Sequence, residues 1–253
     1  REDQTGVSAG RPAPAATPKG APMSATIPAS RLARMSRLAA LTLALAAGTA
    51  AAAAALEIRQ MPFKANDVVY DKVGGRLYVS VPGDSPVYPN SVVAIDTSTG
   101  TVEASAWVGS EPNVLALSDD GQYLYVGLDG AAAVRRVYVP TLTPGLQFSL
   151  GNDPRYGPYL AGSMAVMSGA PTTIAVVRIR TGISGTGGVA IYDDGVIRPV
   201  ATTDWYAVET IAFGAEPARL YGIGEGLTTL TVTPSGVTLD DEVGITTACS
   251  GRL

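Results

Sequence analysis

The side chains of this sequence that could do chemistry are almost all oxygen donors. The 253 residues include 22 Asp and Glu, no His and a single Cys, Cys249. A Ser-His-Asp triad, a Cys-His dyad, an imidazole zinc site and a His-ligated haem are therefore excluded within the chain. So are an intrachain disulfide and any CxxC metal or redox motif. Only Lys19, Lys64 and Lys72 could form a Schiff base. What remains is carboxylate chemistry, oxygen-ligated metal binding, or recognition. The candidates are Asp67, Glu111, Asn113 and Glu209, each in a short polar stretch next to an apolar run. Carboxylate and amide oxygens without nitrogen or sulfur donors suit hard cations, so Ca2+ is the one ion expected if any binds, and no other cofactor is expected.

Other motifs read as structure. Asp119-Asp120-Gly121 and Asp193-Asp194-Gly195 look like paired carboxylates, but Asp next to Gly between two apolar runs is hairpin-turn chemistry. Asp240-Asp241-Glu242 reads as a solvated acidic run. The glycine-rich stretch from Gly182 to Gly188 lacks the Gly-Lys-Ser/Thr ending of a phosphate loop. Trp107, Trp205, Tyr156, Tyr159 and Tyr206 could form an aromatic platform, with packing as the default reading. Arg135-Arg136 interrupts an apolar strand and reads as structural pairing with acidic neighbours.

The elements that must position the four candidates are strands. From residue 60 onward there is no helix-length periodic segment; short β-branched and aromatic runs alternate with Gly, Pro, Asp and Ser. The runs recur. Val68-Val69-Tyr70, a Gly74-Gly75 turn and Arg76 to Ser80 match Leu115 to Leu117, a Ser118 to Gly121 turn and Tyr123 to Gly127. Met164 to Val166 with Thr173 to Val177, and Thr210 to Phe213 with Arg219 to Gly222, give a third and a fourth copy. The anchors Leu77, Leu124, Ile174 and Leu220 lie 47, 50 and 46 residues apart. That period, with room for two further strands per repeat, predicts an all-β chain of four four-stranded antiparallel propeller blades. The spans are about 60–108, 109–153, 154–203 and 204–245. One such sheet cannot bury both faces alone, so blades stack and share cores.

The strands GRLYVS and YLYVG, the hairpin VVAIDTSTGTV and the passage GSEPNVLALSDDGQYLYVG resemble bacterial secreted β-propellers with YVTN-type repeats, in the lactonase/YVTN-like superfamily. The resemblance covers about residues 60–245. It implies a ring of six to eight blades, so four suggest a truncated copy, incomplete at the C-terminus of the 56–253 domain. It also implies that the joints between blades surround one mouth of the central channel. These joints are 64–67, 109–113, 157–160 and 206–209, and Asp67, Glu111, Asn113 and Glu209 would converge there.

The first quarter of the chain is different. Residues 1–34 carry Pro12, Pro14, Pro18, Pro22 and Pro28 without apolar periodicity and read as disordered, upstream of a possible start at Met35. Residues 35–55 have Arg37, an apolar core and small residues to Ala55, the form of a secretory signal peptide. A membrane anchor over Leu38 to Leu56 is the alternative, disfavoured because Ala contributes little to insertion. Residues 1–54 carry net charge +4 and 55–253 net −8, and an acidic domain repels phosphate backbones.

The expected function is an exported, periplasmic or cell-surface propeller that binds a protein, glycan or small ligand, without nucleic acid and without stable membrane insertion after signal removal. The alternative is an enzyme: a lactonase-like hydrolase using carboxylates and a divalent cation, or a quinoprotein-like oxidoreductase. The absence of a recognisable nucleophile-base pair favours the non-catalytic module.

Overall fold

A computed structural model describes residues 58–183, 185–203, 208–224 and 226–244. The 1–34 and 35–55 segments, Trp205, Tyr206 and Cys249 lie outside the described residues. Contacts divide the chain after Ile58, and the second unit, from Arg59, carries the fold.

Short runs with period-two alternation form the strands, and the Gly, Asp and Ser clusters between them form the turns. The first sheet is β1 (Asp67–Asp71), β2 (Arg76–Val81), β3 (Ser91–Asp96) and β4 (Val102–Trp107). The second is β5 (Pro112–Leu117), β6 (Tyr123–Leu128), β7 (Ala133–Tyr138) and β8 (Thr143–Ser149). A small hairpin, β9 (Asn152–Asp153) with β10 (Gly157–Pro158), follows. The third sheet is β11 (Leu160–Met167), β12 (Ala170–Ile179), β13 (Thr186–Asp193) and β14 (Val196–Ile197). The fourth is β15 (Thr210–Phe213), β16 (Arg219–Ile223), β17 (Gly226–Thr233) and β18 (Gly236–Gly244). In all four the spatial order is the chain order, and every pairing is antiparallel. The first strands stand in sequence, β1 against β5, β5 against β11 and β11 against β15. The described residues contain no α-helix, only single 3-10 turns at Asp129–Ala131 and Val139–Thr141. Four sheets stacked in this way are the blades of a β-propeller.

The cores lie between blades. Tyr78, Val92 and Ala94 of the first blade pack on Leu115, Leu124, Val126 and Val137 of the second. The other face of the second, with Ala116, Tyr125 and Val134, packs on Met164, Ile174, Val176 and Tyr192. Ala175, Val177, Val189 and Ile191 then meet Ile211, Leu220, Leu230 and Val232 of the fourth. Each fully buried aliphatic side chain contributes about 1.5–3 kcal/mol, so these layers outweigh the exposed ion pairs at about 0–1 kcal/mol each. The buried tyrosines keep their hydroxyls paired, Tyr125 with the Pro171 carbonyl and Tyr192 with the Leu150 carbonyl, both at 2.9 Å.

Two details depart from the sequence expectation. The last of the four strands in the third blade, for which the repeat leaves room up to about residue 203, is only two residues long, Val196–Ile197. Pro199 has no N–H for the ladder, and Val200 bulges out to accept from Val237 N and donate to Ser235 O in the fourth blade. Trp107, expected to pack, is 63% exposed on β4.

Candidate functional site

The joint between the first two blades gathers most of the chemistry. Asp67 opens β1 and Pro112-Asn113 open β5. Asp67 Oδ2 accepts from the Leu115 amide at 2.7 Å, and its Oδ1 accepts from the Val68 amide at 2.8 Å. Asn66 Nδ2 donates to the Pro112 carbonyl at 2.9 Å, and buried Ser80 Oγ donates to the Asn113 carbonyl at 2.6 Å. This polar seam sits where the Leu and Val layers thin out, and it sets the register of one blade on the next.

Beside the seam, the loop before β5 meets the loop between β2 and β3. Tyr88, Asn90 and Glu111 all adopt left-handed backbone, with φ of 55°, 57° and 51°, a conformation that costs non-glycine residues energy and collects at functional sites. The Glu111 amide donates to Asn90 Oδ1 at 2.9 Å, and Glu111 Oε2 accepts from Gly83 N at 3.2 Å. A Cβ at position 83 would come within 2.5 Å of Glu111 Oε1 and 2.9 Å of Asn90 Oδ1, so only glycine allows this approach.

Asp129 completes the cluster from the end of β6. Its amide donates to the Glu111 carbonyl at 2.9 Å, and its Oδ2 accepts from Asn113 Nδ2 at 2.8 Å. Its Oδ1 is shut off from water and has no hydrogen-bond partner among the described residues. Burial pushes the Asp129 carboxyl above the usual carboxylate range; the Asn113 hydrogen bond pulls it back, and the charge of Glu111 adds to the rise.

The structure thus brings Asp67, Glu111 and Asn113 to one joint, but with different duties. Asp67 has both oxygens on backbone amides, whereas Asn113 and Glu111 are bonded to Asp129, the first through its side-chain amide and the second through its carbonyl. Glu209 does not join them: it precedes β15, two blades further along, where its amide donates to Ile223 O. Among the described residues there is no group of three or more His, Cys, Asp or Glu that could hold a metal ion. Asp129, Asn90 and Gly83 escaped the sequence reading. Leu128-Asp129-Gly130 looks like any turn, and only its packing against Glu111 and Asn113 at the start of β5 distinguishes it.

Elsewhere the buried side-chain polar atoms of the described residues are paired, except Arg178 Nε. Asp120 Oδ1 accepts from Ser118 Oγ at 2.6 Å and from Gln122 N at 3.0 Å within its turn. Asp193 is bound by Arg198 and Thr173. Arg136 reaches across to Asp194 of the third blade at 2.6 Å and covers the Tyr123 ring at 4.7 Å, and Arg135 donates to the Val108 and Gly145 carbonyls, both at 3.1 Å. Between the second and third blades Arg180 pairs with Asp153 at 2.7 Å, and Arg178 covers the Tyr159 ring at 4.7 Å.

No protein-family model and no curated protein matches the chain. Solved structures do match its fold. Hydrazine synthase of Kuenenia stuttgartiensis aligns with a TM-score of 0.55 at 15% identity, over 76% of this chain and 52% of that one. U3-55K aligns at 0.55 and 11%, over 74% and 55%. Dihydro-heme d1 dehydrogenase NirN aligns at 0.52 and 13%, over 71% and 37%. The chain spans about half or less of the length of these structures. They are β-propeller proteins. Their activities differ, so the likeness carries the fold and not a reaction.

Proposed function

We propose that this chain is an exported, non-catalytic β-propeller of the YVTN-repeat kind whose joint between the first two blades binds a hydroxyl-rich ligand such as a glycan. The observation that carries this reading is the unpaired, water-excluded Oδ1 of Asp129. A buried polar atom left without a partner costs about 1–3 kcal/mol, and a ligand hydroxyl recovers that cost only when the joint opens enough to admit it to Oδ1. Glu111 Oε1 and Asn90 Oδ1 lie next to each other at the Gly83 gap and offer two further acceptors. Ca2+ is the second reading, because all these groups are oxygen donors, with Asp129 and Glu111 as the carboxylates. Export rests on the 35–55 segment, and the acidic domain charge argues against nucleic acid as a partner. No helix among the described residues is long and apolar enough to cross a membrane.

The test is a glycan array and a calorimetric Ca2+ titration, run on the wild type and on Asp129→Asn. Wild-type binding that is lost in Asp129→Asn, with the melting temperature kept, is the expected result. Binding unaltered by the substitution would overturn the assignment of the site. Hydrolysis of simple lactones that depends on Ca2+ and on Asp129 would replace the binding module with the lactonase-like alternative.

A further inference from the structure

Most arginines of the blades meet a carboxylate: Arg76 meets Glu103, Arg136 meets Asp194, Arg180 meets Asp153, Arg198 meets Asp193 and Arg219 meets Asp240. Arg135 has none, but it spends Nε, Nη1 and Nη2 on the Val108 and Gly145 carbonyls and the Gln147 side-chain oxygen. Arg178 is different. It has no carboxylate partner among the described residues, and only its Nη2 donates, to the Gly187 carbonyl at 2.8 Å and to the Thr202 carbonyl at 3.5 Å. Its Nε is shut off from water without an acceptor; its Nη1 is not shut off in this way and keeps both hydrogens. Arg178 is half-buried. Taking a guanidinium partly out of water without a counterion is unfavourable, and an anion that comes to it removes that penalty.

The backbone aims this side chain. On β12, Ile174 and Val176 face the second blade, and period-two alternation puts Arg178 on the same face. The ladder from β12 to β11 slips between Ala161 and Ser163, and the ladder to β13 slips between Val177 and Ile179. Both neighbours of β12 are therefore irregular where Arg178 stands. Irregularities of this kind re-aim side chains and collect beside functional sites. The Tyr159 ring backs the guanidinium, its centroid 4.7 Å from Arg178 Cζ.

Arg178 lines a cavity of about 260 Å3 between the second blade and the third. Buried Leu150, Tyr159 and Tyr192 give it an apolar wall, and exposed Ser149 and Asn152 stand at its rim. The Tyr192 hydroxyl is held by the Leu150 carbonyl, and burial pushes its pKa up to about 12, so it stays neutral. The Tyr159 hydroxyl donates to Asp153 at 3.3 Å, and the charge of Asp153 is answered by Arg180. The lining thus holds one uncompensated positive charge and no negative one. Ser149 Oγ accepts from the Gly151 amide at 3.1 Å and keeps its own hydrogen to give, and Asn152 brings a side-chain amide.

We propose that this cavity binds a small monocarboxylate with an apolar body, its charge held by Arg178 through Nη1, its second oxygen taken by the rim donors Ser149 and Asn152, and its body laid on Leu150 and the Tyr192 ring. Charge-assisted hydrogen bonds to a guanidinium are about twice as strong as neutral ones, and a single cation matches one negative charge better than the two of a phosphate. The volume lies just under the roughly 300–1,000 Å3 of pockets for drug-sized ligands, which suits a small acid. The site is in a different interface from Asp129 and does not depend on what that joint binds.

The experiment is calorimetric titration of the full chain with benzoate, with benzamide as its neutral counterpart of the same shape, and with inorganic phosphate. Benzoate is expected to bind wild type with a Kd of about 1 mM or tighter, and benzamide and phosphate about tenfold or more weakly. Arg178→Gln, which keeps a donor for the Gly187 carbonyl but not the charge, is expected to weaken benzoate about tenfold or more. Ile197→Glu sets a carboxylate at the rim of the cavity, on a residue 43% exposed. It is expected to suppress benzoate binding with wild-type circular dichroism, and it keeps the test open if Arg178→Gln fails to fold. A wild type that binds no benzoate at millimolar concentration overturns the proposal. So does benzamide binding as tightly as benzoate, which would mean an apolar slot that reads no charge, or phosphate binding more tightly than benzoate. Benzoate binding unchanged in folded Arg178→Gln or in Ile197→Glu would also overturn it, by placing the ligand elsewhere.

Discussion

Replacing Asp67 by Ala removes the acceptor that ties the first blade to the second. The Leu115 amide, on a residue 8% exposed, donates to Asp67 Oδ2 at 2.7 Å, and water has little access to replace that oxygen. A buried N–H left without an acceptor costs about 1–3 kcal/mol, and loss of a charged acceptor belongs to the upper part of that range. The Val68 amide adds little, because Val68 is exposed and water takes over there. The expected loss is about 2 kcal/mol, which for a unit of this size lowers Tm by about 4–8 °C. Asp67→Asn retains an amide oxygen in the same place and is expected to lose less than half as much. Ser163→Ala is the internal comparison: Ser163 Oγ holds the equivalent place in the third blade and accepts from Ile211 N at 3.3 Å. This neutral, longer bond is worth about 0.5–1.5 kcal/mol. The assay is thermal and urea unfolding followed by circular dichroism, with hydrogen exchange of the Leu115 amide as the local reading. Added Ca2+ is expected to change neither result, since both Asp67 oxygens are occupied. An Asp67→Ala chain that melts with the wild type and keeps its Leu115 amide protected would refute the reasoning.

Two further outcomes are expected. The Arg180 guanidinium, with the Arg155 and Tyr156 amides, holds the Asp153 carboxyl down at about 2. Because the folded value lies below the unfolded one, the stabilisation is complete above about pH 4 and is lost as pH falls toward 2. Tm measured against pH should therefore drop less steeply over that window in Asp153→Asn than in wild type; parallel curves would count against the pair. A Cβ at position 187 would sit 2.1 Å from Tyr159 Cε1, so Gly187→Ala must push the ring off its Arg178 contact. A loss of about 1–3 kcal/mol is expected from such overpacking, and an unchanged melting curve would show that the ring is not confined there.

The blades were legible because each strand states its own face: Leu77 and Val79 alternate with Tyr78, and both sets are apolar because both faces are covered. The turns were legible through Gly75, Gly121 and Gly195, each at positive φ as hairpin turns require. What was not legible is where a strand stops pairing. Val196 to Ala201 has strand composition, but Pro199 breaks the ladder and the neighbouring blade captures Val200. At the candidate site, Glu111 and Asn113 could be marked as joint residues from the repeat. Asp129 could not, since nothing local separates it from Asp119 or Asp194.

Composition alone removed histidine, thiol and disulfide chemistry, and the 46 to 50 residue period alone implied stacked four-stranded sheets, because both depend only on residue types and local spacing. The roles of the carboxylates were decided by tertiary structure. Asp67 became a clamp, because folding brought the Leu115 amide, 48 residues away, onto its oxygen. Asp194 became half of an ion pair with Arg136, 58 residues away. Half-buried Asp129 became the one carboxylate with a water-excluded, unpaired oxygen among the described residues, because folding brought it against Glu111 and Asn113 at the start of β5, 18 and 16 residues away. A side chain's protonation and its free hydrogen-bonding capacity depend on how much water it keeps and which distant groups replace that water, and no window of local sequence contains either quantity.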